Sequence, residues 1–125
     1  MVHSLAEDRA VVSFSHFLGR VELVSENAEE RARRQLRTGQ PISNEPGERI
    51  HDPNVWFNFS RVAGCTLIDA QCRALGACVH VHGHQHRQRD RIIDGVRYVS
   101  HCLATQGERM GGLCFVGEET KQVWP

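Results

Sequence analysis

Residues 78–99 read CVHVHGHQHRQRDRIIDGVRYV, and they contain the clearest secondary-structure signals of the chain. Alternation over 78–82 predicts a β-strand that ends where the chain turns at Gly83. Two further strand-like runs, 91–93 and 96–99, are separated by Asp94-Gly95 alone. Asp-Gly between two β runs is a strong hairpin signal. The stretch therefore predicts a strand, a histidine-rich loop and a hairpin, in that order.

A buried strand is also predicted near the start of the chain. The β-rich apolar run 10–15 ends in the small polar residue Ser15, and His16 follows it directly. In α/β sheets, ligands collect at the carboxyl ends of the strands. His16 is therefore a candidate binding residue.

A short helix is predicted just before the histidine-rich strand. Thr66 and Asp69 have the spacing of a capping box at its N-terminus, and Gly76 suits the position after its last residue. Helical spacing predicts one buried face, formed by Ile68, Cys72 and Leu75. The order of these elements along the chain therefore predicts an α/β fold that leads into an antiparallel sheet.

The middle of the chain is polar and resembles nothing specific over 24–59. Within it, 28–37 predicts a charged, solvated helix, and the prolines of 38–55 predict a surface loop. Three aromatic residues follow and are predicted to anchor that loop by packing: Trp56, Phe57 and Phe59.

Composition limits the class of protein. A length of 125 residues, of which 40% are hydrophobic, fits one domain or part of one. No apolar run approaches the roughly 18 residues of a membrane span, and the charged start lacks a signal-peptide block, so we expect a cytoplasmic location. Fifteen basic and fifteen acidic side chains cancel, which argues against nucleic-acid or membrane partners. The five cysteines form no C-x-x-C pair and are predicted to be buried reduced thiols.

Histidine is the unusual component, because four of the eight histidines alternate within 80–86. Neutral imidazole is a common ligand of Zn, Mn and Fe. Alternate residues of a strand lie about 6.5 Å apart, which suits two neighbouring ions with one imidazole each. Gly83 would permit a backbone turn that aims both rings into one site. The arginines at 87, 89 and 91 are predicted to form a solvated face, with phosphate binding as the alternative.

Gly83-His84-Gln85-His86 resembles the GHxH motif of the calcineurin-like metallophosphoesterases. The resemblance covers about 10–23 and 60–109. Three further segments carry it: the strand-end histidine segment 14–18, the Gly and helix segment 62–75, and the hairpin 90–99.

The resemblance implies a four-layer α/β/β/α sandwich with two divalent ions, such as Mn, Fe or Zn. A metal-bridging hydroxide would attack phosphorus in a phosphate mono- or diester. His16 and His84 resemble ligands of the second ion, and His86 resembles a ligand of the first. His80 and His82 match no such role, and we expect both to be packed in the fold. No catalytic or substrate-binding residue is assigned.

Several motifs of the family have no counterpart in the chain, namely Asp-x-His, Gly-Asp and Asn-His. The chain 1–125 therefore resembles the C-terminal half of the domain. Its parts would be the His16 segment 10–23, an insert 24–59, and 60–125 with helix, GHxH loop, hairpin and terminal strands at 112–116 and 122–124. Because hard dinuclear sites need carboxylates, we expect this chain alone to bind at most one ion weakly and to hydrolyse little.

Other interpretations stay open. The chain could be a non-catalytic remnant that binds metal or a partner chain. A cupin-like barrel would use His84, His86 and Asp90, but its second histidine motif is absent. A structural zinc finger lacks paired ligand spacing. The phosphorylated substrate, the metal identity and the oligomeric state are not determined by the sequence.

Overall fold

The computed structural model describes residues 10–39, 62–110 and 121–123. Four strands form one mixed sheet accompanied by helices, which is a small α/β fold. The elements in chain order are β1 (Val11–Ser15), a 3-10 turn (Val21–Leu23), α1 (Ala28–Thr38), α2 (Thr66–Ala74), β2 (Ala77–His82), β3 (Arg89–Ile93), β4 (Val96–Ser100) and α3 (Gln106–Met110). The predicted aromatic cluster at 56–59 and the strand at 112–116 lie outside the described residues, and 121–123 form no strand.

The strand order of the sheet is β1-β2-β4-β3. β1 and β4 both pair parallel to β2, whereas β3 pairs antiparallel to β4. The predicted hairpin is antiparallel, but it joins the parallel strands through β4 in one mixed sheet and does not lead into an antiparallel sheet. The carboxyl ends of β1 and β2 consequently meet at one edge of the sheet.

The hairpin turn is the one that the sequence predicts. Asp94 and Gly95 both adopt left-handed backbone conformations, with φ of 48° and 82°. Two consecutive left-handed residues are what a two-residue turn needs to match the twist of its strands. The β3–β4 register is therefore fixed by local chemistry.

Helix α2 begins and ends where expected, but the predicted capping box is wrong. Cys65 is the N-cap residue and no side chain caps the helix. Asp69 is buried against the sheet instead, where it accepts hydrogen bonds from the Tyr98 hydroxyl, from Arg73 at 3.0 Å and from Arg20 at 3.2 Å. These hydrogen bonds therefore hold the Asp69 carboxylate away from the N-terminus of α2.

The packed face of α2 also differs from the predicted one. Asp69 and Cys72 are its buried residues, whereas Leu75 is 66% exposed. Gly76 follows the helix with a φ of 70°, as its predicted C-terminal role requires. Among the described cysteines, Cys72 is buried and Cys65 is exposed.

Helix α1 is the charged helix that the sequence predicts. It opens with a capping box in which Asn27 Oδ1 accepts from the Glu30 amide at 2.9 Å and Glu30 accepts from the Asn27 amide at 3.1 Å. Glu30 is nevertheless not a solvated residue, because its carboxylate also receives the Arg91 guanidinium at 2.8 Å.

Two arginines of β3 hold the segment between β1 and α1 against the sheet. Arg91 donates to the carbonyl of Ser25 at 2.6 Å, and Arg89 donates to the carbonyl of Leu23 at 3.1 Å. Arg89 is only 3% exposed. The prediction of a solvated arginine face is therefore wrong for Arg89 and Arg91, which serve as structural donors.

The apolar core lies where this segment meets the hairpin. It consists of Leu18, Leu23, Val96 and Tyr98, with Val24 and Ile93 packed against it. Across the described residues, no helix has both the length and the apolar character that a membrane crossing requires.

Candidate metal centre

His16 and His84 meet at the edge where β1 and β2 end. The amide of Gly83 donates to the His16 carbonyl at 3.1 Å, so the parallel ladder continues one residue beyond β1. His16 Nε2 then lies 3.2 Å from His84 Nδ1. In the absence of an ion, one of these nitrogens donates to the other, in an order set by the tautomers.

The backbone of His84 is left-handed, with a φ of 63°. This conformation is uncommon for any residue other than glycine and often marks a functional position. We expected Gly83 to supply the turn, but a Cβ at Gly83 would make only ordinary contacts, at 3.6 Å to the His16 carbonyl oxygen and 3.7 Å to its Nδ1. The turn that aims the imidazole therefore occurs at His84 itself.

An aromatic ring flanks the histidine pair. The Phe17 ring centroid lies 5.0 Å from that of His16, edge-on, and 4.7 Å from that of His84. Phe17 remains 44% exposed. Phe17 was not predicted to be a site residue, although its position directly after His16 was the available signal.

The geometry of the pair suits two ligands of a single ion. Imidazole nitrogens bind Zn²⁺ at about 2.0–2.1 Å. Two nitrogens 3.2 Å apart subtend about 100° at an ion held at that distance. This angle lies between those of adjacent octahedral and tetrahedral ligands, so the separation of the two nitrogens is compatible with a shared ion once the proton of their hydrogen bond has left and both lone pairs face that ion.

His86 has a different partner. Its Nδ1 lies 3.1 Å from both Oε1 and Oε2 of Glu108. Within 10–39, 62–110 and 121–123, no three His, Cys, Asp or Glu side chains form a group that could hold a metal ion. His16 and His84 are thus brought together, and His86 does not complete a group of three with them.

Glu108 lies at the candidate metal centre beside His86, although it was not predicted to be a site residue. Thr105 donates to Glu108 Oε2 from its amide at 2.8 Å and from its hydroxyl at 2.7 Å, and the Glu108 amide lies 3.3 Å from that hydroxyl. These hydrogen bonds from Thr105 outweigh burial and lower the pKa of Glu108. The Thr-x-x-Glu spacing of a capping box was the signal that could have found it.

The two remaining histidines of the cluster are packed in the fold, as expected. His80 is fully buried between Ser13 Oγ, 2.8 Å from its Nδ1, and Ser15 Oγ, 2.9 Å from its Nε2. Cys72 Sγ is 3.1 Å from the same Nδ1. Burial lowers the pKa of His80, and burial lowers that of His82 to about 4. Both rings are therefore neutral at pH 7.

No protein-family model, curated protein or solved structure matches the chain. The function must therefore be argued from the geometry of the site.

Proposed function

We propose that the chain carries part of a metal-dependent phosphoesterase site, in which His16 and His84 hold one divalent ion. The observation that carries the proposal is the 3.2 Å separation of the two imidazole nitrogens at the carboxyl edge of adjacent parallel strands. The order of a strand-end histidine, a GHxH loop and a hairpin supports the resemblance to calcineurin-like metallophosphoesterases. The substrate class is a phosphate mono- or diester.

The finer fold belongs to the same proposal, in which this sheet is one of the two in a four-layer α/β/β/α sandwich. One face of the sheet carries His80 and Arg91, which contact α2 and α1 respectively. The strand register places Phe14 and Ile92 on the opposite face. These side chains lie on the two edge strands and are 74% and 76% exposed, whereas valines of β2 and β4 on the same face are buried, so only the outer strands of this face are open to a further layer.

The ligands that the chain supplies determine how tightly we expect it to bind a metal ion. A bound divalent ion would lower the pKa of a water ligand and neutralise charge on phosphoryl oxygens. His16 and His84 contribute two neutral imidazole ligands, which leave most positions of an ion to water. The complete domain would need two ions, such as Mn, Fe or Zn, and carboxylate ligands from elsewhere. We therefore expect this chain alone to bind at most one ion weakly and to hydrolyse little.

A non-catalytic role is the second candidate. In it the chain binds metal or a partner chain without turnover. The lack of a three-ligand group among the residues that the structure describes favours this candidate. Turnover separates the two, since both predict some metal binding at His16 and His84.

Metal content and turnover measured together test the proposal. The chain would be brought to equilibrium by dialysis against a fixed concentration of Mn²⁺ or Zn²⁺ and its bound metal measured, and an aryl phosphate would be assayed beside it. His16→Ala and His84→Ala should lose the ion, and Arg33→Met, an exposed change in α1, should retain it. Weak turnover that needs the metal and disappears in the same two variants supports the enzyme. Metal binding without turnover favours the remnant, and metal retained by both variants overturns the site.

A further inference from the structure

We infer that Glu108 is a positioning residue for His86, because it holds the imidazole in the tautomer that is protonated at Nδ1 and so presents Nε2 as the ligand atom. The inference rests on the proposed function in one respect, since presenting a ligand atom matters only if His86 binds an ion. The fixed tautomer itself is a property of the metal-free chain.

The contact between the two side chains determines the direction of the hydrogen bond. Both carboxylate oxygens of Glu108 lie 3.1 Å from His86 Nδ1. An ionised carboxylate has only acceptor atoms, so the imidazole nitrogen must be the donor. A neutral imidazole protonated at Nδ1 carries its lone pair on Nε2. Glu108 therefore selects which ring nitrogen can bind a metal.

The carboxylate is held in place before any ion arrives. Thr105 donates to Glu108 Oε2 through both its amide and its hydroxyl, at 2.8 and 2.7 Å. Arg109 fixes the preceding loop by donating to the carbonyls of Leu103 and Ala104, at 3.0 and 2.8 Å.

This arrangement matches a general feature of metal sites. A ligating histidine usually donates its second ring N–H to a carboxylate or carbonyl, and loss of that acceptor lowers metal affinity about 10- to 100-fold. The carboxylate comes from the loop and helix that follow β4, whereas the histidine follows β2. The start of α3 would therefore be part of the site, through His86.

The tautomer can be read directly by NMR. Long-range ¹H–¹⁵N correlation on the metal-free chain at pH 8 should show His86 protonated at Nδ1. Glu108→Gln should give a mixture of tautomers, because an amide both donates and accepts. Gln106→Ala changes an exposed residue of α3 but keeps both Glu108 and Thr105, and it should preserve the tautomer. An Nε2-protonated His86 in the wild type, or an unchanged tautomer in E108Q, overturns the inference.

Zn²⁺ titration supplies a second readout that a purely structural role would not move. Followed at the ring resonances of His86, E108Q should weaken Zn²⁺ binding at that imidazole about 10- to 100-fold, and Gln106→Ala should leave it within about threefold of wild type. Equal Zn²⁺ affinity at His86 in E108Q and wild type overturns the ligand-presenting role. If wild type binds no Zn²⁺, the proposed function fails, and the NMR result alone decides whether Glu108 positions His86.

Discussion

His16 Nε2 lies 3.2 Å from His84 Nδ1 although the two residues are 68 positions apart in the sequence. The contact follows from the parallel pairing of β1 with β2, in which Ser15 lies beside His82. Each histidine comes just after its strand, so the sheet register alone brings the two side chains to one edge. The left-handed backbone of His84 then turns its ring toward His16.

The backbone of His84 leads to a stability prediction that is separate from metal binding. A left-handed residue costs a non-glycine side chain about 1–2 kcal/mol, and the cost is greatest for β-branched residues. His84→Val should therefore have a lower free energy of unfolding than His84→Gly, by about 1–2 kcal/mol. Both variants should lose the metal. Urea unfolding checks the difference, and two equally stable variants would contradict the strained backbone.

Arg91 should contribute far more to stability than an arginine in an exposed ion pair. The side chains of Arg91 and Glu30 are 10% and 14% exposed, whereas those of Arg33 and Glu29 are 66% and 69% exposed. Removing one partner of a largely buried pair costs about 3 kcal/mol or more. Arg33→Met, the matched control, should cost less than about 0.5 kcal/mol. Similar losses in Arg91→Met and Arg33→Met, measured by urea unfolding, would contradict the structural role of Arg91.

Gly64 should tolerate no side chain. It lies beside Leu18 in an isolated parallel bridge, and a Cβ at Gly64 would come within 1.8 Å of the Leu18 carbonyl oxygen. Gly64→Ala must therefore shift the backbone, and we expect a loss of about 3 kcal/mol in the free energy of unfolding. Gly107→Ala is the control, because its Cβ would meet nothing within 4 Å in α3. That change should stabilise the chain by about 0.5–1 kcal/mol. A harmless Gly64→Ala would disprove the close approach.

Asp90 should make stability depend on pH in the acid range. Hydrogen bonds from Arg97, at 2.8 and 2.9 Å, are the main reason why the pKa of Asp90 is lowered to about 2. Because the folded pKa lies below the unfolded value of about 3.9, the stabilisation is full above pH 4 and is lost as the pH falls towards 2.

The Asp90→Asn variant isolates this effect. Wild type should exceed it in the free energy of unfolding at pH 5, and the difference should shrink by about 1 kcal/mol or less between pH 4 and pH 2, because solvent screens this exposed pair. Urea unfolding at steps of one pH unit measures the difference. A difference that stays constant over this range would show that the Arg97 contact does not hold the carboxylate ionised.

The parts of the fold that depend on local chemistry could be predicted from the sequence. The hairpin follows from Asp94-Gly95, and the end of α2 follows from Gly76, since both sites need left-handed backbone. The role of Asp69 could not be predicted from its spacing to Thr66. Its carboxylate is taken by Tyr98, Arg73 and Arg20, and two of these three lie far away in the sequence. The parallel pairing of β4 with β2 is likewise a non-local choice.

The candidate site shows the same division. His16 was selected because it follows a predicted strand, and His84 because it belongs to the histidine cluster that resembles a GHxH motif. The parallel pairing of β1 with β2 brings the two together. Glu108 was missed because its contact with His86 depends on how the loop after β4 returns to the sheet edge. The turn was expected at Gly83 because glycine is the usual residue at a positive φ, but the residue with the positive φ is His84.

Anomalous diffraction from crystals soaked in Zn²⁺ tests whether His16 and His84 hold one divalent ion. We expect one anomalous peak about 2.0–2.1 Å from both His16 Nε2 and His84 Nδ1. His84→Gly crystals soaked in the same way should lack that peak. A soaked wild-type crystal in which the two nitrogens keep their 3.2 Å hydrogen-bond contact, with no peak beside them, would contradict it.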